Sequence, residues 1–245
     1  MKRVIYKSNK TIIKKNGDVC IKYYTNDKNH KKIRKECSIS ECLSNCGIDV
    51  IPLTLHEDYI TLPFMKHGDL YSNLNRYNKK QLDCIFKEIV IIIDTMHSVG
   101  VAHRDIKLEN ILIDDDYKIH LIDFGECDIF KLQWEETEHL CHEIKGTLPY
   151  MAPEEFIMHG FSSKKLDIWA LGILYMTMTR KSFSWNSAKP YDPKFMEFLS
   201  KKNALNGLPD IFKSILDPKP ETRITTADIL KDKWFKSINK VSLKL

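Results

Sequence analysis

No stretch of the 245 residues is apolar for long enough to cross a bilayer. The most hydrophobic run, Ile89 to Ile93, falls far short of the roughly 20 apolar residues a spanning helix needs. The N-terminal residues lack the apolar core of a signal peptide, so no membrane partner is expected. The expected location is the cytoplasm, or the nucleus, or the host cell interior if the chain is virus-encoded. Paired CxxC spacings are missing too. The seven cysteines, at 20, 37, 42, 46, 84, 127 and 141, are odd in number, which suits reduced core and surface thiols better than a disulfide framework. Cys37, Cys42 and Cys46 are spaced by five and four and recur on one helical face; core packing is the expectation there, a zinc site the alternative. Charge is not gathered into a tail. The net +5 is spread over many Lys residues, which reads as solvated surface rather than nucleic-acid binding. There is no internal repeat and no long low-complexity linker. The apolar fraction of 43% is ordinary for a chain that buries a core, and the length suits one large domain or two small ones.

What the sequence does hold is concentrated around His103-Arg104-Asp105-Ile106-Lys107-Leu108-Glu109-Asn110. These eight residues supply a carboxylate, an ammonium and a metal-binding amide. That set suits phosphoryl transfer, in which a hydroxyl must be oriented, the moving oxygens neutralised and a divalent ion held close. Thirteen residues after Asn110 comes Asp123-Phe124-Gly125, and then Gly146-Thr147-Leu148-Pro149-Tyr150-Met151-Ala152-Pro153-Glu154. In order and spacing the three stretches resemble the catalytic loop, second metal motif and peptide-docking loop of the eukaryotic-type protein kinase superfamily. The resemblance runs from about Val4 to Phe235. It implies an α+β, bilobal fold across residues 1–245, with an N-lobe over 1–63, a hinge over 63–68 and a helical C-lobe over 69–245.

Taken in order, Val4 to Lys7, Thr11 to Lys15 and Val19 to Tyr24 read as strands, the last two joined by a hairpin at Asn16-Gly17-Asp18. Between the first two, Tyr6-Lys7-Ser8-Asn9-Lys10 holds no glycine where the family has its Gly-rich loop. A shortened or open lid is expected there, with Lys7 or Lys10 replacing backbone amides at the phosphates. A helix is predicted from about Lys31 to Ser44, and an apolar strand runs through Tyr59 to Met65. Apolar spacing predicts a buried helix from Gln81 to Val99, closed by Gly100. Ile111 to Ile113 and Lys118 to Ile122 flank Asp114-Asp115-Asp116 as a hairpin.

By resemblance, Lys22 contacts the α and β phosphates of ATP, and a glutamate of the first helix pairs with it, Glu36 first and Glu41 as fallback. The register sets Ser40 one turn after Glu36 and Asn45 one turn after Glu41, neither of them apolar, so the helix is expected to be positioned loosely or supported by another residue. The Pro63 carbonyl and the Met65 N–H would meet adenine, with Leu62 behind, Leu112 beneath and Cys20 opposite. Asp69 would bond the ribose or cap a helix. Asn110 and Asp123 would hold Mg²⁺, Lys107 would neutralise the γ-phosphoryl and Asp105 would accept the substrate hydroxyl. Asp167 would brace the catalytic loop, and Arg223 would pair with Glu154.

The same resemblance implies a serine/threonine kinase acting on protein substrates, nearest to the calmodulin-dependent-kinase-like branch, and a monomer. Glu109 suggests a preference for basic sequences that Thr177 weakens. Glu143 stands where an activating phosphate is usual and is expected to pair with Arg104 in its place, with Thr137 as the alternative switch. The competing readings are a pseudokinase that binds a partner, and a kinase for a small molecule or lipid.

Overall fold

The computed structural model describes residues 3–9, 11–25, 30–201 and 204–244. The N-terminal part is a five-stranded antiparallel sheet of β1 (Arg3–Lys7), β2 (Thr11–Asn16), β3 (Val19–Tyr24), β4 (Thr54–Leu55) and β5 (Ile60–Pro63), ordered β1-β2-β3-β5-β4. Asn16 pairs with Val19 across the hairpin, where Gly17 takes the positive φ of 63° that a two-residue turn demands. β1 and β2 meet through a tight connection in which Ser8 N–H donates to Thr11 O at 2.8 Å and Thr11 N–H to Ser8 Oγ at 3.0 Å. The lid is thus short, as expected; Lys10, offered above as a phosphate contact, lies outside the described residues.

Helix α1 (Lys31–Asn45) packs Ile33, Ile39 and Leu43 inward. The same stripe carries Glu36 and Ser40, also buried. A carboxylate does not enter a buried stripe without a partner, so this face already signals more than packing.

The C-terminal part is mainly helical. After α2 (Leu70–Asn73), α3 (Lys79–Ser98) begins two residues before its predicted start because Asn78 caps it: Gln81 N–H donates to Asn78 Oδ1 and Asn78 N–H to Gln81 Oε1, both at 3.1 Å. Leu82, Ile85, Phe86, Ile89, Val90, Ile93 and Met96 bury one side of α3 against α4 (Ser163–Arg180), which is buried nearly all round. α5 (Pro193–Ser200), α6 (Phe212–Ile215), α7 (Thr226–Lys231) and α8 (Lys233–Ser237) complete this core. Phe86, Tyr175, Phe212 and Trp234 pack there, with ring centroids of Tyr175 and Phe212 4.5 Å apart.

Four short strands frame the segment between the lobes. β6 (Val101–Ala102) pairs with β9 (Asp128–Ile129), and β7 (Ile111–Ile113) with β8 (Ile119–Leu121). Gly100 lets β6 and β9 close together: its φ is +80°, and a Cβ there would lie 1.9 Å from the Lys131 carbonyl oxygen. Among the described residues no helix is long and apolar enough to cross a membrane.

The cysteine trio departs from expectation. Cys42 and Cys46 are exposed and Cys37 half-buried, because the inward stripe of α1 passes through 33, 36, 39–40 and 43 instead. No cluster of metal-ligating side chains occurs among the described residues, so neither core packing nor zinc describes them.

Candidate active site

Residues 103–110 lie between β6 and β7, and two backbone devices hold them. Arg104 adopts φ +67°, a region costly for a side-chain-bearing residue. Asp167, at the buried start of α4, compensates: Oδ2 accepts from His103 N–H and Oδ1 from Arg104 N–H, each at 2.8 Å, and His97 Nε2 lies 2.9 Å from Oδ2. Although burial works against the charge, His97, His103 and these bonds hold the Asp167 carboxyl below the usual carboxylate range. His103 accepts from Asp105 N–H at Nδ1 (3.2 Å) and faces the Ile122 carbonyl with Nε2 (3.1 Å), which assigns the ring proton to Nε2.

On this frame Asp105 gathers three partners. Lys107 Nζ lies 2.6 Å from its Oδ2, Thr147 Oγ1 donates to its Oδ1 at 2.7 Å, and Asn110 Nδ2 donates to its carbonyl at 2.8 Å. Lys107 also donates to Thr147 Oγ1 at 3.1 Å. Burial opposes the Lys107 charge, but Asp105 keeps its ammonium above the ordinary lysine value.

Across the cleft, Lys22 on β3 meets both oxygens of Glu36 at 2.8 and 2.9 Å and Asp123 Oδ1 at 2.7 Å. Glu41 is exposed, so Glu36 and not the fallback is the partner. Asp123, at φ +69°, turns its carboxylate onto Lys22; burial would raise its pKa, and Lys22 with Lys107 draws it below the usual value. Lys22, Glu36, Asp105, Lys107, Asn110 and Asp123 line one cleft of about 750 Å³. Cys20, Leu62, Pro63, Met65, Asp69 and Leu112 line the same cleft. Of the two readings of Asp69, the helix cap is observed: Oδ1 accepts from Ser72 N–H at 2.7 Å, and Oδ2 from Ser72 Oγ at 3.0 Å.

This cleft lies between a small sheet and a helical lobe. The protein kinase domain family model matches residues 7–235. The chain belongs to the protein kinase domain family. Serine/threonine-protein kinase HAL4/SAT4 of Saccharomyces cerevisiae is 33% identical over 231 residues, covering 86% of this chain and 38% of that protein. Serine/threonine-protein kinase hal4 of Schizosaccharomyces pombe is 32% identical over 186 residues, 70% of this chain and 29% of the relative. CBL-interacting protein kinase 10 of rice (Oryza sativa subsp. japonica) is 31% identical over 245 residues, with 91% and 52% covered. The chain therefore spans well under half the length of its two yeast relatives, and its family is the eukaryotic-type serine/threonine kinase superfamily.

One expected kinase contact is corrected. The Glu143 carboxylate is exposed and pairs with Lys145, not with Arg104. Only its backbone carbonyl reaches the arginine, accepting from Nη2 at 2.8 Å. The carboxylate on Arg104 belongs to Glu155, at 3.2 Å, with both side chains almost wholly buried and Cys141 Sγ beside Nη1. Burial pushes the Glu155 carboxyl up to about 7, although Arg104 draws it back. By contrast Glu154 meets Arg223 bidentately at 2.6 and 2.9 Å, as expected. Two residues that sequence reasoning missed thus touch the site. Glu155 gave no local signal, whereas Tyr24, whose hydroxyl lies 2.6 Å from Glu36, shares the Lys22 face of β3 by simple alternation.

Proposed function

We propose that the chain transfers the γ-phosphoryl group of ATP to Ser or Thr hydroxyls of protein substrates. The observation that carries this is the Asp105 carboxylate, which already holds a threonine hydroxyl, that of Thr147, beside the Lys107 ammonium. A substrate hydroxyl at the same carboxylate would be aimed along the cleft, with Lys107 beside the oxygens that gain charge. Asp105, held by Lys107 and Thr147, chiefly orients the hydroxyl and accepts its proton as the transfer proceeds. Lys22, fixed by Glu36, steadies the α and β phosphates, and Pro63, Met65 and Leu112 receive the adenine.

Asn110 and Asp123 offer an amide oxygen and a carboxylate facing that cleft, a hard-donor pair that fits Mg²⁺ completed by phosphate oxygens and water. When bound, the ion would neutralise phosphate charge and fix its geometry. Glu109 adds a substrate reading. Its Oε2 is buried and has no hydrogen-bond partner among the described residues, so a basic substrate side chain is the partner it suits. Arg104 already has its carboxylate in Glu155, which supports activity without phosphate on the activation segment.

The test is phosphate transfer from ATP and Mg²⁺ to a mixed Ser/Thr peptide library, with Asp105→Asn and Asp123→Ala as controls. Phosphorylated Ser/Thr peptides, enriched in basic residues and lost in both controls, are the expected result. No transfer by folded protein would leave a partner-binding pseudokinase as the reading.

A further inference from the structure

Helix α1 carries Glu36 but is poorly equipped to hold it in place. Lys31, Lys32, Arg34 and Lys35 set four cations in its first five residues, at the end whose dipole favours anions. No acidic residue sits in the first turn, and the N-cap His30 makes no side-chain capping bond. One turn after Glu36 the buried position is Ser40, which brings little apolar area. Glu36 nonetheless meets Lys22 through both carboxylate oxygens.

Tyr24 occupies the gap. It follows Lys22 by two residues on β3 and so faces the same way. The Lys22 ammonium lies 4.9 Å from the Tyr24 ring centroid, a cation–π contact. The Tyr24 hydroxyl is 2.6 Å from Glu36 Oε2 and 3.4 Å from Asp123 Oδ1. A Cβ built on Gly125 would come within 2.9 Å of it. A phenol has one proton to give, and the shorter contact assigns it to Glu36.

From this juxtaposition we propose that Tyr24 is a positioning residue whose hydroxyl latches α1 to β3 through Glu36, replacing the apolar contact that Ser40 does not supply. The proposal deepens the kinase reading above and rests on it for its catalytic consequence. The latch also bears on position 125: the oxygen fills the space a methyl group would take, so a side chain there would have to displace the hydroxyl. It also keeps Glu36 saturated, with the Lys22 ammonium on both oxygens and a phenol on one, so the carboxylate has little reason to swing outward.

The experiment uses the full chain and three variants, Tyr24→Phe, Gly125→Ala and the double variant. Amide hydrogen exchange across 33–44 is read without any need for turnover, and kcat and KM for ATP are read separately. Tyr24→Phe should quicken exchange in α1 roughly tenfold, the loss expected for one hydrogen bond to a charged group, while exchange in α3 stays unchanged. It should lower kcat by a similar factor. Gly125→Ala should be damaged more than Tyr24→Phe, and the double variant should regain part of that activity and of the α1 protection, because removing the oxygen makes room for the methyl. Wild-type exchange in Tyr24→Phe, or equal damage from Gly125→Ala with and without the hydroxyl, would overturn the proposal. Absence of turnover in the wild type would count against the kinase reading alone, since the exchange of the four proteins still decides the latch.

Discussion

Arg104 combines a left-handed backbone with a guanidinium buried against Glu155, Cys141 and the Glu143 carbonyl. Removing the Glu155 charge leaves that cation without a counter-ion in the interior. Yet burial already favours the neutral carboxyl over the ionised one, so Glu155→Gln should change stability in denaturant unfolding little below about pH 7, and its effect should appear in turnover instead. The pH dependence has a definite sign. The folded-state value of about 7 lies above the ordinary 4.5, so native protein keeps a proton that unfolded chain releases. The contribution of Glu155 to stability is present below pH 4.5 and is lost as pH rises through about 7. Function should run the other way, because Arg104 is matched only once Glu155 is ionised. Turnover is expected to climb through pH 7 in the wild type, and that limb should vanish in Glu155→Gln; an unchanged profile would count against the pair as the control of Arg104.

The activation segment makes the next prediction. Arg104 already meets Glu155 and the Glu143 carbonyl through Nη2, and Nε, its one nitrogen unpaired among the described residues, is buried, so the exposed Thr137 has no accessible arginine nitrogen to recruit there. Thr137→Ala should keep activity within about twofold, and mass spectrometry of active protein should find that residue unmodified. Activity that tracks phosphate on Thr137 would refute this. At this scale the chain is largely legible. β2 and β3 follow from alternation and a turn at Gly17, α3 from apolar spacing, and Lys22 with Glu36 from resemblance to the family's strand and helix motifs, against a register that sets Ser40 one turn on. What escapes reading has a physical reason. Glu143 stands in a loop, and a loop can offer its carbonyl to Arg104 while sending its carboxylate to Lys145. Glu155 is 51 residues from Arg104, and only the packing under the catalytic loop joins them. The exposure of Cys42 and Cys46 depended on which stripe of α1 turned inward, and Glu36 decided that against the cysteines.

Across the whole molecule, the cleft joins groups from both lobes: β3, α1 and β5 on one side, the segments around Asp105 and Asp123 on the other. A ligand spanning them must tighten the entire fold. ATP with Mg²⁺ at a hundred times its Kd should stabilise the protein by about 2.7 kcal/mol, a rise of several degrees in Tm. Asp123→Ala should abolish the part of that rise that depends on Mg²⁺. A Tm indifferent to nucleotide would weaken the kinase proposal before any peptide is tried.

The tight connection at Ser8 and Thr11 reaches beyond affinity. Long phosphate covers slow product departure, because they must open before ADP leaves. With so little chain to lift, departure is expected to be quick and bond transfer to be the slow step, which a kcat insensitive to solvent viscosity would show. A short cover is also expected to screen the terminal phosphate less from water, so hydrolysis of ATP without transfer is the side reaction to look for.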